Sequence, residues 1–400
     1  MDSSRALVIG AGQAGLNCAL RLGEAGIDYR IVSDTLGGRV LYSAEEQVNF
    51  GAYFQMATYT HAKKLLRRKT WINPFACCFH QADGAAHPTI SGHTLRRGIG
   101  FVRFARLMIQ FMRHYATFKR NCERMPQREA MALDPYIGRL FAQPASAWVK
   151  QHHLDAVASE YVAKFTYACS GVPLESLTAL DALNICQGLL VPIHRFSFDE
   201  PAMAKRLGSH LVRDRAESIA MVDGRHVVTC DSGEKYAADL LVLATPAMET
   251  QRLLDLPAIR ETCRLYVYHV RATLRPEYAG YQMNLFPFES PVIFTALQDD
   301  GSFLIYTRDD TADLGQVCET FEVIGSKLWH KAMYVNGPAY LEQQYGPTLF
   351  TAGDHNGLGM EPAAISGIYA ANQVIRAAGS LPGAAVALTT AAPERDLVTA

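Results

Sequence analysis

Several things are missing from this sequence, and each absence removes a class of function. There is no excess charge of either sign: 38 Lys and Arg stand against 39 Asp and Glu, a net charge of −1. Nucleic acid, which is held by a basic patch or stripe, is therefore not an expected partner. The 9 cysteines are scattered, with only Cys77 and Cys78 adjacent and no CxxC pair. That scatter argues against a disulfide frame or a zinc site and suits free thiols in a reducing compartment, so no metal is expected. No uninterrupted apolar run reaches membrane-spanning length, and the first strand begins almost at once, so neither an integral membrane segment nor a secretory signal is expected. A cytoplasmic chain is the expectation. Its 400 residues, 49% of them hydrophobic, suffice for two domains with a sizeable core.

What is present begins at Arg5, with Ala6-Leu7-Val8-Ile9-Gly10-Ala11-Gly12-Gln13-Ala14-Gly15. The four apolar residues read as a short buried strand, and the glycines open a helix running to about Gly26. This is the dinucleotide fingerprint in its required strand–turn–helix setting. Gly10 permits the tight turn and Gly12 lets a pyrophosphate approach the backbone. Gly15 allows close helix–strand packing, and the helix N-terminus at Gln13 and Ala14 faces the phosphates. Residues 29 to 32 are the expected second parallel strand. The acid that usually ends it and binds the ribose is replaced by Ser33, with Asp34 next, and either side chain is a candidate for that contact.

Further along, residues 55 to 204 read as mostly helical. Residues 61 to 68 and 101 to 114 carry apolar positions at helical spacing. The second of these is interrupted by Arg103, Arg106 and Arg113 near one face. They form a solvated face or, alternatively, a basic amphipathic helix in peripheral contact with a membrane or receiving an acidic, lipid-like substrate. From Leu211 strands take over. Asp223-Gly224 and Asp231-Ser232-Gly233 are turn signals around Val227-Val228-Thr229. Residues 240 to 243 form a strand buried on both faces, leading into Ala244-Thr245-Pro246. Residues 266 to 274 alternate as a strand, and 292 to 307 read as a hairpin around Asp300-Gly301. The chain then returns through a strand ending in Gly353-Asp354 and a helix from about Glu361, with Pro362 in its first turn.

The arrangement of the glycine fingerprint, Gly37-Gly38-Arg39, Asn49-Phe50-Gly51-Ala52-Tyr53, Ala244-Thr245-Pro246 and Gly353-Asp354 resembles the flavin-dependent amine oxidase and phytoene desaturase superfamily. The resemblance implies FAD as cofactor. It also implies a fold of class α/β, with a Rossmann-type FAD-binding domain built from residues 1–54, 205–258 and 341–380. An α+β substrate domain with a helical insert would comprise 55–204 and 259–340, and 381–400 would be a disordered tail. By the same resemblance Gly38 and Arg39 approach the pyrophosphate and flavin, Arg39 as a cation. Gly51, Ala52 and Tyr53 adjoin the cofactor, and the loop at Ala216 offers backbone groups to adenine. Ala244, Thr245 and Pro246 end a strand beside the cofactor. Asp354 hydrogen-bonds it, and the helix N-terminus at Met360 and Ala363 faces the flavin, where reduced flavin carries negative charge.

The departures bear on chemistry. Gly359 stands where monoamine-type oxidases have a cage aromatic, and Phe54 where L-amino-acid oxidases have an arginine for the substrate carboxylate. His269 aligns with the superfamily's water-holding lysine and is the candidate acid or base. Tyr53 and Phe54, with Phe75, Phe79 and Phe104, are candidate walls of an apolar pocket. No second glycine fingerprint follows, which leaves reoxidation to oxygen or another acceptor. The expected activity is hydride removal from a C–H of a mostly apolar or aromatic small molecule. The alternatives are double-bond isomerisation of an unsaturated lipid-like substrate, towards which the run from Gly51 to Tyr59 and the helical insert lean, or a non-catalytic flavoprotein. Oligomeric state is left open.

Overall fold

The strand Asp2–Ala11 is central to a sheet whose other members come from distant parts of the chain. It runs parallel to Tyr29–Leu36 on one side, with Ala6 opposite Tyr29, and to Lys235–Leu243 on the other, with Ile9 opposite Leu243. Leu211–Val212 adds a parallel edge beyond Tyr29–Leu36, and Leu349–Thr351 pairs in parallel with residues 241 to 243. The hairpin of Ala216–Val222 and Arg225–Cys230, turning on Asp223-Gly224, completes the sheet in antiparallel fashion. This computed structural model describes residues 2–257, 261–335 and 339–380. The tail expected to be disordered, 381–400, lies outside the described residues.

Leu240, Leu241, Val242 and Leu243 are fully buried. A strand in the middle of a mostly parallel sheet is covered on both faces, and this explains the unbroken apolar run. The helices Gln13–Glu24 and Met360–Ser380 pack against each other over this sheet. Leu16, Leu22, Ala370 and Val374 share its core.

A second sheet lies beside the first, in the spatial order Cys318–Val335, Glu261–Leu274, Phe303–Thr307, Val292–Leu297, Met283–Leu285, Cys77–His80, Ala86–Pro88. Its longest pairing, Glu261–Leu274 with Cys318–Val335, is antiparallel and carries register shifts at 263/265, 269/270 and 273/274. The expected hairpin around Asp300-Gly301 is present as Val292–Leu297 and Phe303–Thr307. The helices between residues 98 and 186 cover one side of this sheet in one apolar cluster. Local signals start and stop them. Asp134 accepts from the Tyr136 and Ile137 amides, Thr178 accepts from the Asp181 amide, and Gly171 ends Ala163–Ser170 at φ 72°.

Two readings of this region change. Residues 61 to 68 are not an α-helix but a 3₁₀ turn, Ala62–Leu65, followed by a strand, Arg67–Trp71. That strand hydrogen-bonds Ile193–Ser197, a partner more than a hundred residues away that a local period cannot reveal. More broadly, the mostly helical reading of 55 to 204 omits Cys77–His80 and Ala86–Pro88, which extend the second sheet.

Candidate functional site

The C-terminal ends of the first sheet's parallel strands open into a cavity of about 560 Å³ that continues to the face of the second sheet. Open α/β sheets present ligand crevices at this end. The polar arm is lined by Gly10, Gly12, Gln13 and Ala14 from the first turn, and by Ser33 and Asp34 from the second strand. Gly38, Arg39, Ala216, Ala244, Thr245 and Pro246 complete it. Gly51, Ala52, Gly353, Asp354, Met360 and Ala363 line the junction with the second arm. Gly15 does not line the cavity. A Cβ there would stand 1.8 Å from the Gly10 carbonyl oxygen, so its role is the close packing of helix on strand.

At the first turn Gly10 has φ 97°, and a Cβ on it would meet the Ala244 carbonyl oxygen at 2.7 Å. Two strands and a helix start converge there with room only for backbone. The helix Gln13–Glu24 has no side-chain cap at Gly12 and no acid in its first turn, so among the described residues no side chain caps its N-terminal amides. Gln13 adds a donor. Its Oε1 accepts weakly from Asn17 at 3.4 Å, while its Nε2 is buried without a partner. A buried, unmet donor beside a helix N-terminus suits an anionic ligand group.

Ser33 is turned partly inward, its hydroxyl donating to the Thr35 carbonyl at 2.7 Å. Asp34 is exposed and accepts from the Thr35 hydroxyl at 3.3 Å. The Ala216 carbonyl accepts from Arg252 at 3.3 Å. Arg39 reaches the cavity as half of an ion pair. Its Nη2 lies 2.6 Å from Asp354 Oδ1, and its Nη1 donates to the Ala332 carbonyl at 3.2 Å. Burial would raise the Asp354 carboxyl, but the charge and hydrogen bond of Arg39 outweigh it and hold the group below the usual range.

The second arm is apolar. Tyr53, Phe54, Met56, Tyr59, Phe165, Ile185, Leu265, Phe294, Tyr306 and Trp329 line it. Its rings are fixed against one another and against the backbone. Phe294 stacks on Tyr306 at 4.1 Å, Phe54 on Phe165 at 6.2 Å, and Trp329 Nε1 donates to the Phe50 carbonyl at 2.6 Å. Burial pushes the Tyr53 phenol and the Cys169 thiol up to about 12, and the Tyr59 and Tyr306 phenols higher still. These three phenols and this thiol are therefore neutral and protonated near pH 7.

Tyr53 and Phe54 both line the cavity. Phe75, Phe79 and Phe104 do not: Phe75 is exposed, and the other two are packed in the core. His269 also lies outside the lining, which changes its reading as an acid or base. It is 2% exposed, with Nδ1 at 3.2 Å from Glu46 Oε2 and Nε2 at 2.7 Å from the Ser302 hydroxyl. Leu265, on the same strand, reaches the cavity, and four residues of strand carry His269 about 13 Å farther along.

Other lining residues escaped the sequence reading: Asp214, Arg215, Glu249, Lys331 and, on one long strand, Trp329 and Met333. The period-2 spacing of Trp329, Lys331 and Met333 is the signal that could have grouped the last three. Asp214, Arg215 and Glu249 carry no local signal, since the first two follow from loop placement and Glu249 from where the helix Ala247–Leu253 sits.

No protein-family model matches the chain, and no curated protein matches it. Solved structures do. A double mutant of putrescine oxidase, from a structure-based redesign of its cofactor binding, superposes with a TM-score of 0.66 at 15% identity, covering 94% of this chain and 99% of that one. Wild-type putrescine oxidase bound to putrescine superposes with a TM-score of 0.63 at 13% identity over the same shares. The chain therefore has the putrescine oxidase fold, a mixed α/β architecture, at low sequence identity.

Proposed function

We propose that the chain is an FAD-dependent oxidoreductase of the amine oxidase superfamily type, taking a hydride from a C–H bond of a mostly apolar or aromatic small molecule. One observation carries the reading: a glycine-backed polar arm and an uncharged aromatic arm form a single continuous cavity. The residues present fit the cofactor. The uncapped helix start at Gly12, with the unmet Gln13 donor, suits a pyrophosphate. Ser33, Asp34 and Ala216 would hold the adenosine part, with Thr245 and Pro246 near the phosphates. Gly51, Ala52, Asp354, Met360 and Ala363 would border the ring system. Bound FAD would supply a two-electron acceptor for hydride.

The chain's own contribution is position and dryness. Tyr53, Phe54 and Trp329 orient an apolar substrate and exclude water. Putrescine is a diamine, and the apolar arm offers no carboxylate to pair with an ammonium group. A neutral, hydrophobic substrate fits this chain better. The same uncharged arm also suits an unsaturated lipid-like molecule, for which return of the hydride to another carbon would make the reaction an isomerisation.

The test has two steps. The purified chain is expected to carry, or take up, FAD with the visible spectrum of an oxidised flavin; failure to bind FAD overturns the proposal. Anaerobic mixing with apolar amines, aromatic amines and unsaturated fatty acids then separates the chemistries. Lasting bleaching marks net oxidation, product without lasting bleaching marks isomerisation, and turnover of none of these favours a non-catalytic flavoprotein.

A further inference from the structure

We propose that the outer face of the helix Gly98–Cys122 docks onto an anionic lipid bilayer. The inner face of this helix is conventional, with Phe104, Met108 and Phe111 buried in the core. The opposite face is not. Ile99, Val102, Arg106, Ile109, Arg113 and Arg120 follow one another at intervals of three, four or seven residues, which places them in one stripe. Ile99 is 83% exposed, Val102 55% and Ile109 50%, and Leu95, one turn before the helix, is 80% exposed. Large aliphatic side chains held in solvent along a line are unusual on a surface with no partner.

The charge on this face is one-sided although the whole chain is nearly neutral. No Asp or Glu occurs between Asp83 and Glu123. Among the described residues Arg106 and Arg113 make no ion pair, since the Arg pairs run from other positions, such as Arg97 to Glu160. Aliphatic tips flanked by guanidinium groups match the boundary between acyl chains and phosphate headgroups. A second copy of this chain is a poor occupant, because two arginine rows would face each other. A protein partner is a poorer fit than lipid, because the stripe has neither an aromatic anchor nor a pocket of the kind that protein hot spots use.

The experiment is co-sedimentation of the full chain, loaded with FAD if it binds FAD, with vesicles. One set is pure phosphatidylcholine and the other carries phosphatidylserine as well. Binding to the anionic vesicles is expected to exceed binding to the neutral ones by about tenfold or more, and to fall as salt rises. The double variants I99D/V102D and R106E/R113E change exposed positions. Each is expected to keep the circular dichroism spectrum and thermal midpoint while losing about tenfold or more in vesicle binding. No binding to anionic vesicles, equal binding to neutral ones, or unchanged binding by both folded variants overturns the proposal. So does self-association, read by sedimentation velocity, that these variants abolish.

Discussion

Arg39 and Asp354, 315 positions apart in the chain, meet in the wall of the cavity with Nη2 and Oδ1 separated by 2.6 Å. The pair joins the turn after the second strand to the end of Leu349–Thr351, so it closes the polar arm from both ends of the sequence. Asp354 is buried and Arg39 is 29% exposed. Removing the charge as D354N takes one buried carboxylate out of the pair and weakens its hold on the guanidinium. We expect a loss of about 2 kcal/mol, less than a fully buried pair would cost, together with weaker FAD retention. Chemical denaturation and flavin release measure the two effects.

The same pair sets a pH dependence. The folded-state carboxyl of Asp354 lies below the unfolded value. A depressed acid contributes stability above its unfolded pKa, about 3.9, and loses it as pH falls through the folded pKa. The wild-type chain is therefore expected to lose stability below about pH 4 more steeply than D354N. Parallel acid titrations of the two proteins, showing the same slope, would dismiss this contribution.

Two glycines of one helix should respond oppositely to alanine. A Cβ on Gly367 would stand 2.0 Å from the Ala14 carbonyl oxygen, where Met360–Ser380 crosses Gln13–Glu24. G367A must push the two helices apart beside the fingerprint, at a cost of about 3 kcal/mol, and loosen FAD binding with it. Gly379 has nothing within 4 Å, so G379A is expected to stabilise the helix by about 0.5 kcal/mol. Denaturation midpoints of the two variants moving in the same direction would contradict this packing.

His269 is expected to matter for stability and not for turnover. H269A removes contacts to Glu46 and Ser302 in a buried setting and should cost about 3 kcal/mol. The rate of flavin bleaching by a substrate should stay within about twofold at a temperature where the variant remains folded. A bleaching rate reduced more than about tenfold in the folded variant would return the histidine to the chemistry.

The apolar arm can be closed without touching the polar one. Ala168 lines the cavity beside Phe165 and Cys169. A168F should fill space that the substrate needs, weakening its apparent affinity by about tenfold or more while FAD absorbance is retained. Loss of FAD from this variant would show that the two arms are not separable.

The glycine-backed side of the cavity has parts that are local in the sequence. A turn that admits only glycine, a strand buried on both faces and a helix start each leave a signature within a dozen residues, and Gly10, Gly12, Ala244 and Gly353 all line the cavity. Of the aromatic lining the sequence singled out only Tyr53 and Phe54, which follow directly on the Gly51-Ala52 motif. Trp329 and Leu265 face each other across an antiparallel pair, and their place in the cavity depends on the bulges in that pair.

The sequence by itself determined the nucleotide-type sheet, the fingerprint helix and the order in which the chain leaves and returns to them, because backbone sterics and burial act over short spans. Tertiary structure alone decided that Leu265 reaches the cavity while His269, four residues along the same strand, is held by Glu46 and Ser302 outside its lining. It decided too that Arg39 arrives already paired with Asp354, and that Ile99 and Val102 are left in solvent. The physical reason is common to all three. Period and propensity name the face of an element, whereas register, crossing and neighbouring elements decide what that face meets.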